Sequence, residues 1–249
     1  MTLVTTSWDD GHPLDLRVAE LLAKYEFRGT FYVPRRNREG RSVLSRRELA
    51  LLGSGFEIGG HSFDHVRLTS VPPDEAARQV RAIKDAVENE LGRSVAGFCY
   101  PGGAHDAAIR ALVRAHGFRY ARTIENLWLA PARDPFQLPT TLQLYRHPRS
   151  TYLKNLARGR HLLTRAQGAC VVLGGHPLGD VLRMLLDRAV STGGVFHLWG
   201  HSWELEEHEL WGELESFLAY ARDRVPPAQR VDNAASIAAP SEASQRSTV

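Results

Sequence analysis

The sequence predicts an α/β fold in which short strands alternate with longer helices around one parallel sheet. Three observations point there. Seven β-prone runs, at 3–7, 30–33, 57–60, 97–100, 120–123, 170–173 and 195–199, are mostly separated by segments with apolar residues at helical spacing. Strand-helix alternation of this kind builds a parallel sheet. The composition of the 249 residues, 43% hydrophobic and 24% charged, is that of one globular domain, and strand-helix barrels routinely reach this size around a single core. Finally, Asp9-Asp10, His61, Pro101-Gly102, Arg122, His176 and His201 each fall just after a predicted strand. That edge carries the active site in barrels and doubly wound sheets alike, so the residues alone leave a barrel and an open sheet both open.

The elements can be taken in order. The apolar-polar stretch 3–7 opens the chain as a strand, and helical spacing follows over 16–25. The second helix, 45–52, begins with Ser45-Arg46-Arg47-Glu48, a capping box in which each end residue bonds the other's backbone. A third helix covers 74–91. A fourth covers 106–116, with Asp106 as its N-cap and Gly117 as its stop. The stretch 126–149 carries Pro131, Pro135, Pro139 and Pro148 and predicts a long excursion over one mouth of the sheet. Helices are expected again at 180–191 and 206–221. Beyond 224, Pro226-Pro227 and an Ala/Ser-rich segment without aromatics cannot offset the cost of ordering, so 1–224 is the expected domain and 225–249 a frayed tail.

Bulk properties narrow the function classes. No apolar run approaches the roughly 20 residues of a membrane span. Met1 leads almost at once into the first strand without a charged, apolar leader, and Cys99 and Cys170 sit in short apolar runs where buried thiols are expected before a disulfide; together these predict a cytoplasmic protein. The formal charge is +3. Arg146, Arg149, Lys154, Arg158, Arg160 and Arg165 share a stretch with no acidic residue, 135–179, which reads as a solvated face or as a surface for a phosphate-bearing substrate. Nucleic acid is not expected, since no recognition module or aromatic stacking series accompanies these cations.

The chemistry is concentrated in two motifs. His61-Ser62-Phe63-Asp64-His65 supplies two imidazoles, and Asp9-Asp10-Gly11 supplies carboxylates from another strand end. Two imidazoles and one carboxylate give a divalent metal three protein ligands and leave a position for water or substrate. The second aspartate then stands free to take a proton. Which aspartate does which is not decided by these residues alone. Ser62 is placed to hold the histidine turn through a backbone hydrogen bond.

Ser7-Trp8-Asp9-Asp10-Gly11 and His61-Ser62-Phe63-Asp64-His65 resemble the first two motifs of the polysaccharide deacetylases, the NodB-homology group or carbohydrate esterase family four. The resemblance covers roughly residues 3–220 and implies a single-domain distorted (β/α)7 barrel. It also implies that Asp9 is the general base and that Asp10, His61 and His65 bind the metal, Zn2+ by default. The family's third motif, Arg-x-Pro-x-Gly, corresponds to Cys99-Tyr100-Pro101-Gly102-Gly103, without the arginine that sets the base's charge. Arg122, at the end of the next strand, is the candidate substitute, and Gly102 N–H the candidate oxyanion donor. The last motif, Leu-x-His, is matched one residue too long by Leu198-Trp199-Gly200-His201, making His201 the candidate acid ahead of His197 and His176. The family's Asp- and Trp-containing motif has no evident counterpart.

Aromatic residues near these motifs either pack or stack on sugar; Tyr100 and Trp199 are candidate substrate contacts, with Trp203 and Glu204 stronger ones because they follow His201 in a loop. Glu204 also reads as a helix-cap residue. The expected activity is hydrolysis of an N-acetyl group on an amino sugar or glycoconjugate. An O-acetyl esterase on the same centre and a degenerate, non-catalytic carbohydrate-binding barrel are the alternatives, the second because of the missing arginine. The sugar and the oligomeric state are not legible.

Overall fold

The protein's structure, a computed structural model, describes residues 1–158 and 161–238. Its strands are β1 (Leu3–Asp9), β2 (Thr30–Val33), β3 (Glu57–Gly60), β4 (Gly97–Cys99), β5 (Tyr120–Arg122), β6 (Leu142–Gln143) and β7 (Val195–His201). They form one seven-stranded sheet in the order β5-β4-β3-β2-β1-β7-β6, with every pairing parallel. The sheet curls, and one segment joins its two edges. Leu138 N donates to Ala121 O and Thr123 N to Leu138 O, each at 2.9 Å, and the same segment then bonds β7 through Thr141 N to His197 O at 2.9 Å and Leu144 N to Trp199 O at 2.7 Å. The expected seven-unit barrel is therefore present in distorted form, with a two-residue strand as its narrowest stave.

Helices α1 (Asp15–Lys24), α2 (Arg46–Gly55), α3 (Pro73–Leu91), α4 (Ala107–Ala115), α5 (Arg149–Arg158), α6 (Leu162–Leu173), α7 (Leu178–Thr192), α8 (Ser202–Glu207), α9 (Trp211–Arg224) and α10 (Asn233–Ala238) complete the fold. The capping box at Ser45 and Glu48 is present with both bonds, and Asp106 accepts from Ile109 N at 2.8 Å. Alternation along the strands divides the residues chemically. Val4, Trp8, Phe31, Ile58, Phe98, Phe196 and Leu198 join the large apolar core with the helices. The alternate positions Thr5, Ser7, Asp9, Tyr32, Glu57, Tyr120, Arg122 and His197 form the other, polar face, where most of their side-chain atoms are hydrogen-bonded, Arg122 Nε excepted. Ser7 Oγ lies 2.8 Å from His197 Nε2, Tyr120 donates to Glu57 at 2.8 Å, and Thr30 donates to Glu57 at 2.7 Å. Gly59 makes room for this lining, because a Cβ there would meet the Tyr32 ring at 2.6 Å.

Four expectations are corrected. Residues 170–173 are the end of α6, not a strand: a short apolar run with two valines has no periodicity to separate the states, and α6 buries Arg165, Gly168, Ala169 and Val172 at helical spacing. The missing strand is β6, inside the stretch read as irregular and too short to leave a pattern. Cys170 is exposed while Cys99 is buried, and both thiols are free. The helix expected at 206–221 is two helices separated by a turn in which Glu209 has φ 52.

The fourth correction concerns the tail. Through Ala238 it is folded back on the barrel: Val231 N donates to Val4 O at 2.9 Å, and Arg230, 5% exposed, donates to Val225 O at 2.8 Å and Tyr25 O at 3.0 Å. Asn233 is fully buried at the N-terminal end of the barrel, donating to Tyr32 Oη at 2.9 Å and accepting from Thr5 Oγ1 at 2.7 Å. Ala234 and Ile237 pack against the buried cluster of Tyr32, Cys99, Tyr120 and Leu138, and the buried polar side chains add bonds that a count of hydrophobic residues misses. Residues 239–249 of the expected tail lie outside the described residues. Asn233→Ala, which strands the buried Thr5 hydroxyl and takes from Tyr32 one of its two hydroxyl partners, is expected to lower stability by about 1–3 kcal/mol in denaturant unfolding; a change within about 0.5 kcal/mol, as at a frayed end, contradicts this packing.

Candidate functional site

Parallel pairing brings the ends of distant strands to one rim. β1 and β7 are in register to their last residues, Asp9 beside His201. On the other side Val33 pairs with Gly60, so that His61 starts the next loop, and Cys99 of β4 pairs with Arg122 of β5. Just beyond the strands the backbone is unusual. Asp10 (φ 76), Ser62 (φ 52) and His65 (φ 54) adopt the left-handed region, at a cost of about 1–2 kcal/mol each that the surrounding packing must offset. Ser62 Oγ accepts from Val66 N at 2.9 Å, holding the loop. Gln79 of α3 clamps it from below, accepting from Asp64 N at 2.8 Å and donating to Asp64 Oδ2 at 2.7 Å.

Asp10, His61 and His65 converge, each offering one ligand atom within 4.8 Å of the others. His65 Nε2 lies 3.0 Å and His61 Nε2 3.7 Å from Asp10 Oδ1. This oxygen is buried and accepts no hydrogen bond, an expensive state for a carboxylate unless a cation faces it. His61 commits its Nδ1 to Cys99 O at 2.8 Å, which leaves Nε2 toward Asp10, the second-shell arrangement that orients an imidazole ligand. Burial pushes the His61 pKa down to about 4, so it is neutral, as a ligand must be. The donor set fits a divalent ion of the zinc type, and at His65, where burial is outweighed by Asp10 and the pKa is raised, binding such an ion displaces a proton.

Asp9 is engaged differently. Arg122, fully buried, pairs with Asp9 Oδ1, and Cys99 Sγ donates to Asp9 Oδ2 at 3.7 Å. Burial alone would raise the Asp9 pKa, but Arg122, with His61 and His201, outweighs it and holds the carboxyl below the ordinary range. Thus Cys99 occupies the place of the motif arginine, and the guanidinium comes from the neighbouring strand. Trp199 packs on it, its ring centroid 4.7 Å from Arg122 Cζ.

Of the three candidate histidines, only His201 reaches the rim. His201 Nε2 is 3.9 Å from Asp10 Oδ2, and its Nδ1 is 2.7 Å from Glu204 Oε2. His197 lies four residues deeper, between Ser7 and Pro139 O, and burial presses its pKa to about 3. His176 lines a separate cavity with Tyr145 and Arg149. Gly102, in the left-handed region at φ 60, follows β4 on the same rim, where a Cβ would meet Arg67 Nε at 2.8 Å.

The expected substrate contacts are reassigned. Tyr100 is fully buried and donates to Phe136 O at 3.1 Å, while Trp199 is 7% exposed against Arg122; both pack. Trp203 Nε1 donates to Asp10 Oδ2 at 3.0 Å, and its ring is covered by Arg41 at 3.3 Å and stacked by His201 at 5.2 Å, so it orients the carboxylate. Glu204 sits in the first turn of α8 and orients His201, a role its spacing of three from the histidine signals once a helix is recognised there. Gln79 was missed altogether, though a glutamine on the buried face of α3 was an available signal, and Cys99 reads from the sequence only as a buried thiol standing where the motif has arginine, without its contact to Asp9. Among the described residues two members of the basic stretch are engaged elsewhere: Arg165 is buried and donates to Asn126 and Asn155, and Arg146 pairs with Glu213; Arg160 lies outside the described residues, as does the Arg158 side chain.

Comparison with known proteins bears on the family and the fold. Residues 2–121 match the family model for polysaccharide deacetylase, a span that holds both aspartates, both histidines and Gly102 and ends one residue before Arg122. The fold is that of the chitin deacetylase of the fungal pathogen Colletotrichum lindemuthianum (14% identity, 96% of this chain and 89% of that one, TM-score 0.61). It is also that of a family 4 carbohydrate esterase of Streptomyces lividans (14% identity, 88% and 89%, TM-score 0.53). The chain covers 62% of a Streptococcus pyogenes deacetylase that it matches at 19% identity and TM-score 0.49. No curated protein matches the sequence. The resemblance to the polysaccharide deacetylases and the distorted barrel it implies are thereby borne out. Among the described residues no helix is long and apolar enough to cross a membrane.

Because the depressed carboxyl of Asp9 favours the folded state only while ionised, its contribution is present at neutral pH and is lost as pH falls through the folded-state pKa, below about 4. Arg122→Met, which leaves that charge buried and unpaired, is expected to destabilise the chelator-treated protein by about 3–5 kcal/mol at pH 7 and by much less at pH 3. An equal loss at both pH values in urea unfolding contradicts the pairing.

Proposed function

We propose that this chain, whose residues 2–121 match the polysaccharide deacetylase family, is a metal-dependent hydrolase that removes an N-acetyl group from an amino sugar or glycoconjugate. One observation carries the reading: Asp10, His61 and His65 converge beside a second aspartate, Asp9, that is tied to a buried guanidinium instead. An ion held by Asp10, His61 and His65, zinc by its donor set, supplies Lewis acidity that acidifies a water and polarises the acetyl carbonyl.

The protein's own groups divide the remaining work. Asp9, ionised at neutral pH, accepts the proton of the attacking water, and Arg122 keeps its carboxylate facing the site. The pairing lowers its basicity, so Asp9 takes the proton as the new carbon–oxygen bond forms and not before it. Gly102 N–H is the proposed donor to the oxyanion of the tetrahedral intermediate. An amine leaves poorly unless protonated, and His201 donates that proton from Nε2, since Glu204 holds Nδ1–H. The absence of the motif arginine was the ground for a non-catalytic barrel; Arg122 at Asp9 answers it.

Chelator treatment is expected to abolish acetate release from N-acetylated amino sugars, with recovery on adding Zn2+; activity indifferent to chelator rejects the metal. Asp9→Asn is expected to cut kcat by about 10²–10⁴-fold while zinc still binds stoichiometrically. Burial pulls the His201 pKa down, but its bond to Glu204 and the nearby Asp10 push it up to about 9. An acid works below its pKa, so kcat falls as pH rises through that value, and Glu204→Gln is expected to move this alkaline limb about one to three pH units lower. An unmoved limb removes His201 from the acid's role.

A further inference from the structure

Glu204 does not hold His201 unaided. Gln143, in the two-residue strand β6, donates from Nε2 to Glu204 Oε2 at 2.9 Å, the same oxygen that receives His201 Nδ1 at 2.7 Å. On its other side Gln143 Oε1 lies 2.8 Å from His147 Nε2. His147 is in turn fixed by aromatic neighbours, with Tyr145 at 4.6 Å and Tyr152 edge-on at 5.9 Å between ring centroids. The four side chains form one row running from the rim into the segment that joins the barrel's edges.

The direction of each bond follows from charge. A carboxylate only accepts, so the amide must turn its NH2 to Glu204 and its oxygen to His147. His147 must then donate from Nε2. With Glu204 Oε2 receiving two donors, its carboxylate cannot rotate without losing both, and His201 is kept in the orientation that presents Nε2 to the site. An amide does not pass protons in the manner of an imidazole or a carboxyl, so this row transmits orientation and carries no proton.

We propose that Gln143 and His147 are positioning residues for the acid His201, acting through Glu204 on the step in which the leaving nitrogen is protonated. The proposal rests on the reading of His201 as that acid. It goes beyond the motifs identified in the sequence, since neither residue lies in one of them, and Gln143 is one of the two residues of β6.

The test separates leaving groups. An amine needs the acid, whereas p-nitrophenolate leaves without protonation and reports only on the rest of the site. In the zinc-loaded protein, Gln143→Leu and His147→Ala are expected to lower kcat for acetate release from an N-acetylated amino sugar about tenfold, a fraction of a general acid's full contribution, with KM unchanged and p-nitrophenyl acetate turnover falling far less. His147→Gln, whose amide N–H can donate from nearly the same place as Nε2, is expected to keep most of the amide rate. A second readout does not depend on activity: the His201 Nδ1–H resonance, identified by its absence in His201→Ala, is expected in the parent protein and in His147→Gln and lost from Gln143→Leu. Equal losses on both substrates, an effect confined to KM, or a persistent resonance in Gln143→Leu overturns the proposal. Loss of the resonance in Gln143→Leu from a protein with no amidase activity leaves the positioning intact and rejects the deacetylase reading instead.

Discussion

Asp9 stands beside His201 because β1 and β7 pair in parallel over seven residues, from Leu3 opposite Val195 to Asp9 opposite His201. Every other group of the site takes its place relative to that ladder. A parallel sheet puts all its strand ends on one edge, so a carboxylate from the first strand, a histidine loop after the third, a guanidinium from the fifth and a histidine from the last become neighbours without any loop having to reach far. A slip of one residue in β1 would turn Asp9 to the apolar side and Trp8 into the polar interior.

Two adjacent aspartates do different work because their surroundings differ in kind. Asp9 points into the barrel, where Arg122 neutralises it, and Asp10, one residue on and in the left-handed region, turns to the histidines and keeps a bare oxygen among them. The peptide that reverses direction between them is thus the origin of their different partners, a guanidinium for one and imidazoles for the other. Arg122 and Trp199 illustrate the same economy of position. Each sits on the interior face of its strand, and the cation lies 4.7 Å from the indole centroid while facing the carboxylate.

Much of this was legible. Six of the seven strands, the helix starts at Ser45 and Asp106, and the grouping of Asp9, Asp10, His61, Arg122 and His201 follow from periodicity, capping chemistry and position after strands. What was misread has identifiable causes. Residues 170–173 look β-prone because of two valines, yet Gly168 lets α6 approach so closely that a Cβ there would meet Leu127 O at 2.9 Å, and that tertiary contact decides for helix. The segment 226–238 looks disordered because it is rich in Pro, Ala and Ser and lacks aromatics, yet it is held by Arg230 and Asn233, whose partners lie some two hundred positions away.

By itself, then, the sequence determined the strand-helix alternation and which residue types meet at the strand ends, since these depend on spacing and local backbone preference. Only the tertiary structure decided that Cys99 and Arg122 together replace one arginine, that Glu204 and Trp203 serve His201 and Asp10, and that the barrel's inside is polar. Those outcomes depend on hydrogen bonds and ion pairs between segments far apart in the chain. Such bonds leave no periodic trace, because each is made by a single side chain and its partner is chosen by the fold.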